Sequence, residues 1–275
     1  MVGIKRNRYR LFHKGGLHRL VYGRWTTRYV DIMFHRIIPM LGRRGRKRLA
    51  NSYHSKVLTQ KAAEQLVTLD RGIPLQDLET IIPYEKARNI VLSSPPDIVV
   101  FECGCRLNSD KPCKSTQVCM VIGQPFVDLI LKHRPRDSRR LTTEEALELL
   151  REEHERGHVH SAWFKHAMMD RFYAICNCCK CHCGGIQAMT KYGVPMIAAS
   201  GYSMKLDTER CDGCGTCVAL CPFGALSLAD GRMNYDHEKC MGCGVCVDKC
   251  PRGAMELVRD AAKGTPLETD RLNIP

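Results

Sequence analysis

Long apolar runs are missing from this sequence. Its best candidate near the start, VDIMFHRIIPML, is interrupted by His35, Arg36 and Pro39, whereas a membrane-spanning helix needs about 20 apolar residues in succession. The basic N-terminus is not followed by an apolar segment with a small-residue cleavage site, so no secretory signal is expected. The sequence therefore predicts a cytoplasmic protein, for which peripheral contact with a membrane stays open.

Nucleotide-binding motifs are also missing. The chain has no G-x-x-x-x-G-K-[ST] phosphate loop, no G-x-G-x-x-G after a strand and no nucleophile elbow, which are the patterns that position phosphates or an activated serine. Flavin or nicotinamide chemistry is therefore expected to belong to another chain.

Acidic residues are nearly absent from the first 50 positions, where Asp31 accompanies fourteen lysines and arginines. This segment carries a charge of +13, equal to the net charge of the whole 275-residue chain. Basic residues interleaved with aromatic ones suit an acidic partner protein, an anionic membrane surface or a nucleic acid, and a solvated tail is the alternative. The apolar residues between Leu17 and Leu41 argue against a solvated tail.

We favour a basic arm that docks other redox subunits, for example a flavoprotein. Membrane contact is the second hypothesis and nucleic acid is the least favoured. The most concentrated positive charge, and hence the predicted partner-binding group, is Arg43, Arg44, Arg46, Lys47 and Arg48.

Cysteine, in contrast, is abundant, with 17 residues. Disulfide frameworks are rare in a reducing cytoplasm, so the thiols point to metal or redox chemistry. Two segments, CDGCGTCVALCPFGAL from Cys211 and CMGCGVCVDKCPRGAM from Cys240, are identical at ten of sixteen positions. Both have the spacing C-x2-C-x2-C-x3-C-P, which is typical of bacterial ferredoxins with two clusters and more specific than an isolated zinc-binding C-x2-C.

On these motifs, residues 203–257 resemble a bacterial-type ferredoxin domain that holds two [4Fe–4S] clusters. In that family the three closely spaced thiolates bind one cluster, and the cysteine before proline binds the neighbouring cluster. The resemblance assigns cluster I to Cys211, Cys214, Cys217 and Cys250. It assigns cluster II to Cys240, Cys243, Cys246 and Cys221.

Nine further cysteines fall in two clumps, FECGCRLNSDKPCKSTQVC and CNCCKCHCGG. They are Cys103, Cys105, Cys113, Cys119, Cys176, Cys178, Cys179, Cys181 and Cys183. The β-branched and aromatic run DIVVF predicts a strand before the first clump, and an extended Cys103-Gly-Cys105 would place both thiols on one face. Residues 95–257, with these paired clumps, resemble a poorly characterised group of iron–sulfur proteins from anaerobes that end in a ferredoxin domain.

Three hypotheses remain for these nine thiols. They could bind one or two further [4Fe–4S] clusters, which we favour because the chain already holds ferredoxin motifs. They could bind structural zinc, with His182 as a further ligand. They could also include a redox-active pair at Cys178 and Cys179, or inert buried thiols.

The segment HERGH, residues 154–158, formally matches the zinc-protease signature H-E-x-x-H. Thr142 and Glu145 predict a capping box that starts a helix, and Gly157 predicts its end. His158 would then lie beyond the helix, off the face of His154, so we reject the protease. We expect both histidines at the end of an exposed helix, and most of the histidines His160, His166 and His237 at the surface.

The predicted fold is α+β, with an irregular cysteine-rich module and a C-terminal ferredoxin-like domain. The predicted regions are a basic helical arm (1–90), an iron–sulfur module (91–200), the ferredoxin domain (201–262) and a tail (263–275). We predict an electron-transfer subunit of a multi-subunit oxidoreductase complex in an oxygen-avoiding cell, with no acid–base catalytic residues of its own. The alternatives are an enzyme with a substrate-binding cluster in the middle module and a nucleic-acid-binding iron–sulfur protein.

Overall fold

The computed structural model describes residues 16–69, 82–84 and 96–269. Its core is one mixed seven-stranded sheet with the strand order β4-β2-β3-β6-β5-β1-β7. The strands are β1 (Tyr53–Val57), β2 (Ile98–Glu102), β3 (Gln117–Ile122), β4 (Ser138–Leu141), β5 (Val159–Lys165), β6 (Arg171–Cys178) and β7 (Ile197–Ala198). The DIVVF run is β2, as predicted, and the α+β class is confirmed.

Helices begin at residue 16 within the described part of the chain. They are α1 (Gly16–Arg24), α2 (Thr26–Asp31), a π-helical stretch (Ile32–Ile37), α3 (Ile38–Met40), α4 (Arg43–Ser52), α5 (Gln60–Val67), α6 (Gly104–Leu107), α7 (Phe126–His133), α8 (Thr143–Glu155) and α9 (Gly184–Tyr192). Among these helices, none combines the length and hydrophobicity needed to cross a membrane.

Residues 16–52 of the basic N-terminal region are mainly helical, as predicted, and they pack on the sheet. Tyr22, Val30, Phe34 and Ile38 are buried in the same core as the residues of β3 and β6. Helix α4 leads directly into β1, which pairs with β5 and β7. The apolar content of this segment thus serves to cover one face of the sheet.

The C-terminal region continues the chain with two small sheets. Strand β8 (Tyr202–Leu206) pairs with β11 (Met255–Arg259), and β9 (Leu226–Ala229) pairs with β10 (Arg232–Tyr235). Short helices α10 (Thr216–Leu220) and α11 (Val245–Asp248) follow the cysteine loops of the two repeats.

One part of the sequence-based description was wrong. The middle module was expected to be irregular, but six of its strands belong to the seven-stranded sheet. Five of these strands, β2 to β6, form antiparallel pairs, and some partners lie far apart in the sequence, such as Cys119 in β3 and Cys176 in β6. Residues 1–15, 70–81 and 85–90 of the predicted basic arm (1–90) lie outside the described residues.

Candidate metal centres

The C-terminal region contains two small cavities, each lined by four cysteines. The first, of about 20 Å³, is lined by Cys221, Cys240, Cys243 and Cys246 among other residues. The second, of about 10 Å³, is lined by Cys211, Cys214, Cys217 and Cys250. Each cavity therefore takes three cysteines from one repeat and one from the other, which is the grouping that the ferredoxin resemblance predicts. The ligand roles themselves stay a prediction.

Glycines in the cluster loops allow a close approach of the backbone. Gly242 has φ +63°, and a Cβ there would lie 2.1 Å from the carbonyl oxygen of Tyr202. Gly213 has φ +70°, and a Cβ there would lie 2.3 Å from the carbonyl oxygen of Gly231. Only glycine fits these two positions, since another residue would be strained and would also overlap with backbone atoms.

A third cavity, of about 40 Å³, lies in the middle module. Its polar lining is dominated by thiols, with Arg106 and Asn177, and its apolar lining includes Phe34, Tyr53 and Trp163. Its cysteines are Cys103, Cys105, Cys119, Cys176, Cys178, Cys179 and Cys183. Seven of the nine unassigned cysteines therefore meet at one place, in a cavity larger than either of the ferredoxin cavities.

The sheet explains how distant cysteines converge. Cys119 on β3 lies opposite Cys176 on β6, and Cys178, two residues further along β6, points to the same face of the sheet because side chains alternate along a strand. Cys103 follows β2 and precedes helix α6, in which Cys105 lies. The thiols of Cys103 and Cys105 hydrogen-bond each other. The segment that brings them together is a helical turn, and not the extended strand that we expected.

The GG pair that ends the motif CNCCKCHCGG packs where no side chain fits. A Cβ on Gly184 would lie 2.6 Å from the Phe34 ring, and one on Gly185 would lie 2.5 Å from Trp163. The backbone N–H of Gly184, at the start of α9, donates to Sγ of Cys105 at 3.4 Å. The positive end of a helix dipole favours thiolates and anionic groups at this position.

Burial and mutual contacts shift the pKa values of the thiols in the cavity. Hydrogen bonds with neighbouring thiols, together with burial, raise the pKa values of Cys105, Cys119 and Cys183. Hydrogen bonds from Cys105 and Cys119 lower the pKa of the Cys103 thiol. Because thiolates are the metal-binding form, a metal bound here must displace protons from the other thiols. The donor set of buried sulfurs fits iron–sulfur ligation.

Arg106 anchors the wall of this cavity. Its Nη2 donates to Glu153 Oε2 at 2.6 Å and to the carbonyl oxygen of Asn177 at 3.1 Å. Burial alone would lower the pKa of Arg106, but the charge of Glu153 and the hydrogen bond to it raise the pKa overall. The motifs CGCR and CNCC contain Arg106 and Asn177, but neither residue was predicted to have a role from the sequence.

A second and tighter group lies beside the cavity. Sγ of Cys113 is 3.1 Å from Sγ of Cys181 and 3.3 Å from Nδ1 of His182. Sγ of Cys179 is 3.7 Å from the same Nδ1. All four ligand atoms lie within 4.8 Å of one another, and no other group of three or more metal-binding side chains in the described ranges is so compact.

The HERGH segment makes no shared metal site. His154 Nε2 hydrogen-bonds Asp248 Oδ2 at 2.8 Å, whereas His158 Nδ1 hydrogen-bonds Glu153 Oε2 at 2.7 Å. The helix has the predicted capping box and its last residue is Glu155, so its predicted extent is confirmed.

The expected exposure of His154 and His158 was wrong. Both are buried, because the end of α8 packs between the sheet and the ferredoxin-like region. His160 is also buried, because it lies in strand β5 of the sheet. His160 Nδ1 is 2.7 Å from Asn177 Oδ1. His166 and His237 lie at the surface, as expected.

The middle module and the ferredoxin-like region share one hydrophobic core. Phe223, Met241 and Val245, from the region around the first ferredoxin cavity, are buried in the same core as Cys119 and Cys178. Polar contacts also join the two regions: Lys180 Nζ donates to the carbonyl of Ala219 at 2.8 Å, Lys249 Nζ to Glu155 at 2.6 Å, and Ser200 Oγ to the carbonyl of Gly242 at 2.6 Å.

Comparison with known proteins supports the C-terminal assignment. Residues 203–251 match the family of 4Fe-4S dicluster domains. No curated protein matches the chain. The C-terminal region therefore contains a ferredoxin-like 4Fe-4S dicluster domain, and together with the cysteine-rich group it supports an iron–sulfur electron-transfer role.

Proposed function

We propose that this chain is an electron-transfer subunit of a multi-subunit oxidoreductase, with a third iron–sulfur cluster in the cavity of the middle module. The observation that carries the proposal is the continuous core between this cavity and the dicluster domain. Iron–sulfur clusters supply one-electron transfer when bound. A packed and buried connection between two cluster sites suits this role, because burial and hydrogen bonds to sulfur set the potentials of the clusters.

The residues of the cavity would hold and tune the third cluster. Cys103, Cys105, Cys119, Cys176, Cys178 and Cys183 offer six thiols, two more than a cubane requires. The Gly184 amide adds a hydrogen bond to sulfur, and Trp163 and Phe34 exclude water. The seventh cysteine, Cys179, belongs to the neighbouring group with His182.

The exposure of the cysteines indicates the order of the clusters along the proposed electron-transfer path. Cys214 of predicted cluster I is exposed, whereas Cys240 of predicted cluster II is buried and Cys221 and Cys243 pack against the shared core. Cluster I would therefore face an external redox partner, and cluster II would face the middle module.

Electron paramagnetic resonance of the reduced protein tests the proposal. In the anaerobically purified chain, reduction with dithionite should give signals from three centres, with the middle centre magnetically coupled to cluster II. Cys178→Ser should remove the middle signal and narrow the signal of cluster II, while cluster I is unchanged. Signals from only the two centres of the dicluster domain in the reduced, unmodified protein would refute a cluster in this cavity.

Helix α4 is the proposed docking surface for another redox subunit. Arg43, Arg44 and Arg48 are exposed, and no carboxylate in the described part of the chain pairs with them. Lys47 is also exposed, and Arg46 is half-buried. Free, concentrated positive charge suits an acidic partner surface and would steer its association.

Anaerobic isolation of the tagged chain from its native cells tests this docking surface. Subunits that copurify with the unmodified chain should be lost from an Arg43→Glu, Arg44→Glu double variant and kept by Lys205→Glu, which changes an exposed lysine on the dicluster domain. The same subunits recovered from both variants would rule out α4 as the docking surface. If the double variant kept these subunits but lost binding to membrane lipid or to nucleic acid, that ligand would be the favoured partner of α4.

A further inference from the structure

We propose that Cys113, Cys179, Cys181 and His182 form a mononuclear zinc site, separate from all the cluster sites. The donor set of three thiols and one imidazole is one that structural zinc takes. It comes from two loops, one before β3 and one after β6, which are brought together beside the cavity. The inference does not depend on the proposed electron-transfer function.

The distances favour a single ion over a cluster. Tetrahedral zinc with Zn–S bonds of about 2.3 Å places its ligand sulfurs about 3.8 Å apart, whereas a cubane holds its thiolates at separate corners. The Sγ atoms of Cys113 and Cys181 are 3.1 Å apart, and Nδ1 of His182 is 3.3 Å and 3.7 Å from Sγ of Cys113 and Cys179. The eight ferredoxin cysteines form no such compact group within the described ranges.

The arrangement also explains the vicinal pair Cys178-Cys179. Strand β6 ends at Cys178, whose Sγ lies in the buried cavity within 3.4 Å of Ser161 Oγ. Cys179, the next residue, contributes to the four-residue group. One short turn can thus serve two metal centres of different kinds.

Four protein ligands would leave no open position, so the site is structural. Bound zinc would tie the loop of Cys113 to the loop of Cys181 and His182, and both loops flank the wall of the cavity. Cys181 is exposed and Cys113 and His182 are half-buried, which gives the ion a route of entry. Binding would release protons from the thiols.

Zinc and iron contents of neighbouring cysteine variants test the site. The full chain, purified without oxygen from medium with iron and zinc, should hold about one zinc, with zinc–sulfur distances near 2.3 Å by X-ray absorption. Cys181→Ser should lose most of this zinc and keep its iron. Cys178→Ser should lose iron and keep its zinc.

His182 provides a second pair of variants that keeps the test decisive if Cys181→Ser does not fold. His182→Cys should retain zinc in an all-thiolate site, whereas His182→Ala should lose most of it. Three outcomes would overturn the proposal: no zinc in the unmodified chain, a loss of iron and sulfide with Cys181→Ser, or a Cys113–Cys181 disulfide detected by mass in the anaerobic protein. None of these outcomes would by itself remove the cluster proposed for the cavity.

Discussion

Arg106 and Glu153 form a buried ion pair, with 2.6 Å between Nη2 and Oε2 and exposures of 1% and 0%. Arg106 comes from the first cysteine clump, and Glu153 lies on α8, almost fifty positions later. The same Glu153 oxygen is 2.7 Å from Nδ1 of His158. This network fixes the wall of the cysteine cavity to the helix that also contacts the dicluster domain through His154.

Glu153→Gln should destabilise the protein and reduce its iron content. The change leaves the buried guanidinium of Arg106 without a counter-charge, and breaking a buried pair in this way costs about 3–5 kcal/mol. The apparent unfolding temperature and the iron content, both measured without oxygen, should fall. Glu152→Gln is the matched control because Glu152 is 48% exposed and pairs only with Arg156 among the contacts seen. Equal effects of both variants would contradict the structural role of the buried pair.

Cys221→Ser should damage cluster II even though Cys221 belongs to the first repeat. Its cavity is shared with Cys240 and Cys243, not with Cys217. The spectrum of reduced Cys221→Ser should therefore match that of Cys243→Ser, and each should lose about four irons. A spectrum that matches Cys217→Ser would show that the cysteines before proline bind within their own repeat.

Gly185→Ala should weaken the packing around the cavity. The new Cβ would lie 2.5 Å from Cη2 of Trp163, and such overpacking costs about 1–3 kcal/mol. We expect a lower unfolding temperature and partial loss of the middle-module iron, with the dicluster domain intact. Gly42→Ala, which meets nothing within 4 Å, should change neither quantity. Full iron retention in Gly185→Ala would show that the helix α9 can move away from Trp163.

The titration of Lys56 should make the free energy of unfolding depend on pH. It is 1% exposed, and burial lowers its pKa from 10.5 to about 7, with a smaller contribution from Arg259. Between pH 7 and pH 10.5 the unfolded chain holds a proton on Lys56 that the folded chain releases. Stability should therefore rise with pH in this window, by at most about 1.4 kcal/mol per pH unit, and should lose this contribution as pH falls towards 7.

Lys56→Met provides the measurement for this effect. The apparent unfolding temperatures of the variant and of the unmodified chain are measured at pH 7.5 and pH 9 with one heating rate. The difference between the two proteins should be larger at pH 7.5 than at pH 9. A difference that is the same at both pH values would mean that Lys56 stays charged in the folded protein, held by its hydrogen bond to the carbonyl of Ala199.

Local patterns predicted much of the fold. The DIVVF strand, the capping box at Thr142 and the helix end before Gly157 depend on neighbouring residues, and each is present in the structure. The ferredoxin repeats carry their cluster spacing within sixteen positions, so their grouping around two cavities could be anticipated.

Long-range strand pairing determines the features of the site that could not be predicted from the sequence. Cys119 and Cys176 become neighbours only because β3 and β6 pair, and no spacing along the chain encodes that register. His154 is buried where α8 packs against the dicluster domain, and its ring hydrogen-bonds Asp248, which is 94 residues away. The division of the nine thiols between a cavity and a compact group with His182 likewise required the folded chain.

The central claim is that the middle module binds metal and packs against the dicluster domain. Iron, acid-labile sulfide and zinc per chain, counted in protein purified without oxygen, test it most directly. The account predicts about twelve irons, about twelve sulfides and one zinc, and about sixteen irons would mean that the six-thiol cavity holds a larger group. About eight irons and eight sulfides would confine the clusters to the dicluster domain and contradict the claim.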